Sequence, residues 1–161
     1  MMNRIFAWVQ GVCRFLHGIA GASLVFLMLL TIADVVLRAF HRPIPGVYEL
    51  VGFASALAIG LAMPLTSWRR GHVYVDTLVG RLPAGGRIAM QLATRLLGAG
   101  LFLIVGYNLI RFGLDLRTCG EVSPTLELRF YPVVFGLAAA SFLQGIVLLC
   151  DIAKVLRGEY E

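Results

Sequence analysis

The chain contains four long stretches without Asp, Glu, Lys or Arg, and short polar segments separate them. These stretches are Phe15–Ala33, Leu50–Trp68, Leu96–Ile110 and Phe130–Cys150, of 19, 19, 15 and 21 residues. An α-helix rises ~1.5 Å per residue and needs ~20 residues to cross a hydrocarbon core ~30 Å thick. Because the stretches are continuously apolar rather than alternating, they indicate membrane-spanning helices and not the strands of a β-barrel.

The pattern predicts an all-α protein, an integral membrane four-helix bundle. We expect a single domain over residues 1–161, with spans at about 15–37, 48–68, 92–112 and 130–150. The third span reaches the required length if Arg95 extends its guanidinium toward the lipid headgroups. Near the amino end, Arg14 interrupts the apolar stretch that follows Arg4, so helix one is predicted to be an uncleaved anchor.

Composition supports lipid as the solvent for most of the chain. Hydrophobic residues make up 59% of the sequence and charged residues 14%, against ~45–50% and ~25% in an average globular domain. A water-soluble domain of this size has too little polar surface to cover so much apolar side chain. The net charge of +5 is scattered between the apolar stretches, which argues against nucleic acid as a partner.

The distribution of basic residues predicts the orientation in the membrane. Eight Lys or Arg residues lie on the side that carries both termini and the second loop, and five lie on the other side. Cytoplasmic segments carry the excess of Lys and Arg, so both termini are predicted to be cytoplasmic. Of the three cysteines, Cys119 alone would face an oxidising compartment, and we expect neither an intramolecular disulfide nor a metal site.

The second loop has the pattern of a short amphipathic helix. Val75, Leu78, Val79 and Leu82 fall at positions i, i+3, i+4 and i+7, which form one stripe of a helix. The sequence predicts a short interfacial helix that ends at Pro83. A partner protein would cover the same stripe equally well.

Three charged residues flank the connection between helices one and two. Asp34 and Arg38 are four residues apart and share a helix face, and Glu49 lies where helix two begins. We expect them to form a small cluster at the outer rim. Two interpretations remain: the cluster docks another subunit or gates an anionic solute, or it orients helix one against helix two.

Other patterns indicate packing rather than chemistry. Gly52, Ala56 and Gly60 repeat every four residues and are typical of close helix packing in membranes. No catalytic triad, phosphate-binding loop or pair of acids stands out, so we predict neither an enzyme nor a cofactor. Two alternatives are a haem-bearing membrane anchor of a redox complex, with His17 and His72 on the same side of the membrane, and an independent channel or exporter, against which the lack of a central charge argues.

Three motifs, in order, resemble those of one known family. The motifs are Asp34-Val-Val-Leu-Arg38-Ala-Phe40 with Pro43-Ile44 and Tyr48-Glu49-Leu50, then His72-Val73-Tyr74-Val75-Asp76-Thr77-Leu78 with Arg81-Leu82-Pro83, and Gly120-Glu121-Val122-Ser123-Pro124-Thr125-Leu126. Together with four spans at this length, the chain resembles the small membrane subunit (DctQ-type) of the tripartite ATP-independent periplasmic (TRAP) transporters. It departs from the family at residues 127–132, where much of the family has a further Pro and a Trp.

The resemblance implies a division of labour between three proteins in the bacterial inner membrane and periplasm. A periplasmic substrate-binding protein delivers an organic acid, a large multi-spanning permease subunit moves it with an ion gradient (usually sodium), and the small subunit supports the large one. Residues at structural or partner-interface positions would be Asp34, Arg38, Pro43, Glu49, His72, Asp76, Ser123 and Pro124. The last two precede helix four, and His72 and Asp76 would anchor the second loop.

Overall fold

The computed structural model describes residues 2–69 and 84–156. Four helices account for most of these residues: α1, Met2–Ala39; α2, Val47–Trp68; α3, Ala84–Cys119; and α4, Tyr131–Leu156. Each is long and apolar enough to cross a membrane. The prediction of an all-helical, four-span protein is therefore confirmed, and each predicted span falls within one helix to within one residue. The predicted interfacial helix of the second loop lies outside the described residues, as do His72 and Asp76.

The four helices form a row in which α2 and α4 are central. The helix α1 packs mainly on α2, and α3 packs on α4. Ring contact between Phe53 and Phe130, with centroids 5.3 Å apart, and the hydrogen bond between Ser67 and Gln144 further along both helices show that α2 and α4 run in the same direction. Both α1 and α3 run opposite to their neighbours and lie at the outside of the row.

Small residues allow neighbouring helices to approach closely. A methyl group at Gly60 of α2 would overlap the Leu137 side chain of α4, and one at Gly113 of α3 would press against Phe135. The core between α1, α2 and α4 is also built from compact side chains, among them Cys13, Ala20, Ala140 and Val147. This packing agrees with the use of small residues at helix interfaces in membranes, where contact rather than water exclusion drives association.

Two helices end in the same local motif, with one residue in the left-handed conformation. At the end of α1 that residue is His41 (φ 58°), and at the end of α3 it is Gly120 (φ 66°). The next amide then donates back across the last turn, from Arg42 to the Leu37 carbonyl at 2.9 Å and from Glu121 to the Leu116 carbonyl at 3.3 Å. These bonds satisfy carbonyls that the ending helix leaves without partners.

Polar contacts concentrate at the two ends of the bundle. We call the end that carries residues 40–46 and 120–130 the connection end, and the other the opposite end. Glu49 and Ser67 mark these ends on α2, 18 residues apart in the sequence, or ~27 Å along a helix. That separation matches a hydrocarbon core ~30 Å thick, and the outer faces between the ends expose apolar side chains such as Leu24, Leu29 and Leu97.

Candidate partner-interface sites at the two ends of the bundle

Asp34 joins the end of α1 to the connection that follows it. Its Oδ2 accepts a hydrogen bond from Arg38 Nε at 2.9 Å, and its Oδ1 accepts one from the Ile44 amide at 3.1 Å. Asp34 is 6% exposed, whereas almost half of the Arg38 side chain is exposed. Because a partly buried backbone amide outside a helix needs an acceptor, the carboxylate has a structural role whether or not another protein binds here.

Arg38 also reaches across to α2. Its Nη2 donates to the Tyr48 hydroxyl at 3.2 Å, and its guanidinium carbon lies 5.5 Å from the centre of the Tyr48 ring. Tyr48 is itself highly exposed. A guanidinium over an aromatic ring is an attractive arrangement, and here it places a cation and a large ring together on the surface of the connection end.

Glu49 binds the connection between α3 and α4. Its carboxylate accepts hydrogen bonds from the Ser123 hydroxyl, from the Thr125 amide at 2.9 Å and from the Leu126 amide at 3.1 Å. Ser123 is almost fully buried. A charged acceptor that takes several amide hydrogen bonds makes stronger contacts than a neutral one, so Glu49 ties α2 to a segment more than 70 residues later in the chain.

The three predicted rim charges are therefore divided between two contacts. Asp34 and Arg38 form the expected pair, but Glu49 bonds to Ser123 and its neighbours. Pro124 and Pro43, also predicted to be interface positions, are both exposed in the two connections. The sequence contained each of these residues as a candidate but carried no signal that would pair Glu49 with Ser123.

The connection between α3 and α4 is a compact loop. The Ser123 amide donates to the Leu128 carbonyl at 2.9 Å, and the Glu127 amide donates to the Ser123 carbonyl at 3.1 Å. Its Leu126 side chain lies over Gly46, where φ is 70° and any side chain would overlap Leu126. Glycine adopts this backbone conformation without steric cost, and at Gly46 it also leaves room for the two connections to meet.

The opposite end is held by contacts between side chains of different helices. Arg95 of α3 forms an ion pair with Asp151 of α4 through Nε and Oδ2, and both side chains are largely buried. The structure therefore differs from the expectation that Arg95 extends toward the headgroups. The helices α3 and α4 are antiparallel. Arg95, which precedes the third apolar stretch, therefore lies beside Asp151, which follows the fourth.

A second polar contact at the opposite end joins α2 and α4. Gln144 Nε2 donates to Ser67 Oγ at 2.5 Å, and both residues are buried. The Gln144 Oε1 atom has no hydrogen-bond partner among the described residues. Neither Ser67 nor Asp151 was identified from the sequence, since a single polar residue at the end of an apolar stretch is an ordinary feature of a membrane helix.

The predicted packing face of α2 is used unevenly. Gly60 lies against Leu137 of α4, whereas Gly52 faces open space and is exposed. Ala56, between them, is half-buried. His17, a candidate haem ligand, is exposed on α1, and its suggested partner His72 lies outside the described residues. Within residues 2–69 and 84–156, no group of three potential metal ligands is found.

Comparison with known proteins gives two matches. The family model for the DctQ component of the tripartite ATP-independent periplasmic transporters matches residues 27–158. A protein of Sinorhizobium fredii (strain NBRC 101917 / NGR234), named "Uncharacterized protein y4mM", is 36% identical over 88 residues, which are 54% of this chain and 16% of that protein. The stretch that resembles this chain is therefore a small part of a much longer relative.

The family match covers the end of α1, all of α2 and α3, and α4. It includes both of the connections that Asp34 and Glu49 hold in place and both polar contacts of the opposite end. The family consists of transporter components and not of enzymes, and its members are multi-pass membrane proteins. With four spanning helices among the residues that the structure describes and a match over most of its length, the chain belongs to the DctQ family, the small membrane components of TRAP transporters.

Proposed function

We propose that the chain is the small subunit that scaffolds the large permease subunit of a TRAP transporter during uptake of an organic acid. In this proposal a periplasmic binding protein delivers the substrate, and a sodium gradient drives transport. The family match over residues 27–158 carries the proposal.

The bundle has the properties of a rigid support. Glu49 joins α2 to the loop before α4, and Arg95 joins α3 to α4 at the other end. Each end of the bundle thus has a charged contact between neighbouring elements, which a sliding motion of those elements would have to break. Such a body would hold the fixed part of the large subunit while the substrate-carrying part moves.

We further propose that the connection end faces the periplasm and that both termini are cytoplasmic. The excess of Lys and Arg on the side of the termini and the second loop supports this orientation. Arg38, Tyr48 and the exposed residues of the loop from 120 to 130 would then lie on the surface that meets the binding protein. His72 and Asp76 would anchor the second loop at the cytoplasmic face of the inner membrane.

Co-purification and uptake test this proposal together. The tagged chain, extracted from its native membrane in mild detergent, is expected to bring down a near-stoichiometric protein with roughly ten or more predicted spans. Cells that lack the chain should lose uptake of one organic acid, and uptake in wild-type cells should stop when the sodium gradient is collapsed. Recovery of the chain alone, under conditions that preserve other membrane complexes, would contradict the proposal.

A further inference from the structure

A polar cleft lies at the connection end, between the last turn of α3 and the loop that leads to α4. Its volume is about 400 Å³, and its walls include Arg117, Glu121, Arg129 and Tyr131. Clefts that hold small ligands measure ~300–1,000 Å³, so this one is large enough for a small polar group. Two positive charges and one negative charge therefore border the same cavity.

Backbone pairing gives the cleft a fixed shape. The Glu121 amide donates to the Leu116 carbonyl at 3.3 Å, which closes the last turn of α3. Val122 then pairs with Arg129 as an isolated antiparallel β-bridge. The segments that carry Glu121 and Arg129 are consequently held next to each other, beside the end of α3.

The charged groups of the cleft do not neutralise one another. Among the described residues, Arg117 and Glu121 have neither an ion pair nor a side-chain hydrogen bond, and Arg129 has only a long contact of 3.5 Å from Nη1 to the Tyr131 hydroxyl. Water solvates exposed charges, so exposure alone identifies no ligand. Here, however, two guanidinium groups, which suit a phosphate or carboxylate, share a cavity with a carboxylate that accepts hydrogen bonds from a cation.

The position of the cleft relative to the membrane narrows the choice of ligand. Arg129 and Tyr131 flank Phe130, the first residue of the fourth apolar stretch. The cleft therefore lies at the edge of the hydrocarbon core, in the layer that lipid headgroups occupy. Tyrosine is common at this level, because its ring is apolar and its hydroxyl is polar.

An apolar stripe leads from the cleft toward the middle of the bilayer. Its members are spaced by three or four residues on α3 and lie on one face of the helix: Leu116, Phe112, Leu109 and Val105. Leu116 lines the cleft, while Phe112 and Val105 are exposed. A charged cavity above an exposed apolar stripe suits an amphiphile better than a water-soluble ion.

We propose that the cleft binds the headgroup of a phospholipid that carries both a phosphate and a primary ammonium, as phosphatidylethanolamine does. Arg117 and Arg129 bind the phosphate, Glu121 accepts a hydrogen bond from the ammonium, and an acyl chain lies along the stripe. A purely anionic headgroup would be repelled by Glu121, and a quaternary ammonium has no hydrogen to donate to it. Basic pockets beside spanning helices bind lipid headgroups in other proteins. The inference needs only a chain that spans a membrane, so it does not depend on the proposed function.

Native mass spectrometry of the purified chain in detergent tests the lipid preference. With phosphatidylethanolamine, phosphatidylcholine and phosphatidylglycerol of identical acyl chains at equal concentrations, we expect the first to be retained roughly tenfold more than either of the others. Equal retention of the three lipids, or preference for phosphatidylglycerol, would overturn the inference. Displacement of the lipid by an equal concentration of soluble phosphoethanolamine would do so too, because it would assign the cleft to a water-soluble ligand.

Substitutions at exposed positions assign the two halves of the headgroup. Arg117→Gln with Arg129→Gln should reduce retention of phosphatidylethanolamine by roughly tenfold. Glu121→Gln should keep phosphate binding but retain phosphatidylglycerol as well as phosphatidylethanolamine. The matched control is Arg111→Gln, since Arg111 is an exposed arginine of α3 outside the cleft. Unchanged retention in the double variant, or an equal loss in Arg111→Gln, would contradict binding in the cleft.

Discussion

Charged side chains stabilise both ends of the bundle, but they bind different kinds of partner at each end. At the connection end, the carboxylates of Asp34 and Glu49 accept hydrogen bonds from backbone amides of the two loops. At the opposite end, Arg95 and Gln144 bond to side chains of neighbouring helices. At the connection end, carboxylates therefore fix the conformation of the loops. At the opposite end, side-chain contacts join one helix to another.

The difference has a physical origin in what each end must satisfy. Backbone amides in a short loop have no helical partners, and a carboxylate next to the loop supplies several acceptor positions at once. At the opposite end the backbone is helical and already bonded, so a buried charge such as Arg95 needs a side-chain partner. We expect contacts of the second kind to dominate stability, because both members are buried.

The largest effect is expected from breaking the pair at the opposite end. Asp151→Leu leaves the Arg95 guanidinium largely buried without its carboxylate, and removal of one member of a buried pair costs about 3–5 kcal/mol. Unfolding in detergent micelles, followed by circular dichroism, measures the loss. The double variant Arg95→Leu with Asp151→Leu should recover most of it, because two apolar side chains pack without an unpaired charge.

Arg14→Leu is the matched control for this experiment, since Arg14 is an exposed arginine on α1. Its free energy of unfolding should be close to that of the wild type. A loss in Arg14→Leu as large as that in Asp151→Leu would show that removal of a charge, and not of the buried pair, is responsible.

A smaller and local effect is expected at the connection end. Glu49→Ala removes the acceptor of the Thr125 and Leu126 amides, so both amides should exchange with solvent faster, by roughly tenfold. Hydrogen–deuterium exchange with peptide-level readout measures this. Glu121→Ala, an exposed acid in the same loop, should leave the exchange unchanged; equal rates in the wild type and Glu49→Ala would show that the loop keeps its shape without the carboxylate.

The smallest effect is expected from Arg38. Its side chain is almost half exposed, and exposed ion pairs contribute little to stability. Arg38→Ala should change the melting temperature less than Asp34→Ala, which also leaves the Ile44 amide without its acceptor. The opposite order would mean that the contact of Arg38 with Tyr48, rather than the Asp34 carboxylate, holds the connection.

The helices themselves were predictable because their signal is local. Apolar stretches bounded by charges define the spans in lipid, where the backbone has to form its hydrogen bonds within the helix. The approximate bounds of α2 follow from Glu49 and Arg69, which flank an uncharged stretch. The candidate residues of the connection end were also recognised, since charges and prolines gather between two apolar stretches.

The pairing of those residues was not predictable. Glu49 meets Ser123 and Arg95 meets Asp151 across intervals of 74 and 56 residues, and nothing in the local sequence distinguishes these partners from other polar residues nearby. The left-handed conformation of His41 is equally hidden, because residues other than glycine adopt it uncommonly and local sequence does not mark where. These features depend on which helices pack side by side and on how far one is shifted along its axis relative to the other.

The sequence by itself determined that the chain has four apolar stretches long enough to span a membrane, roughly where each lies, and its resemblance to the DctQ family. The tertiary structure decided that α2 and α4 run side by side, so that Glu49 reaches the loop before α4. It also decided that α3 lies beside α4, so that Arg95 pairs with Asp151. Periodicity along one helix defines a face, but only contact with neighbouring helices shows whether that face is covered and how deep it lies.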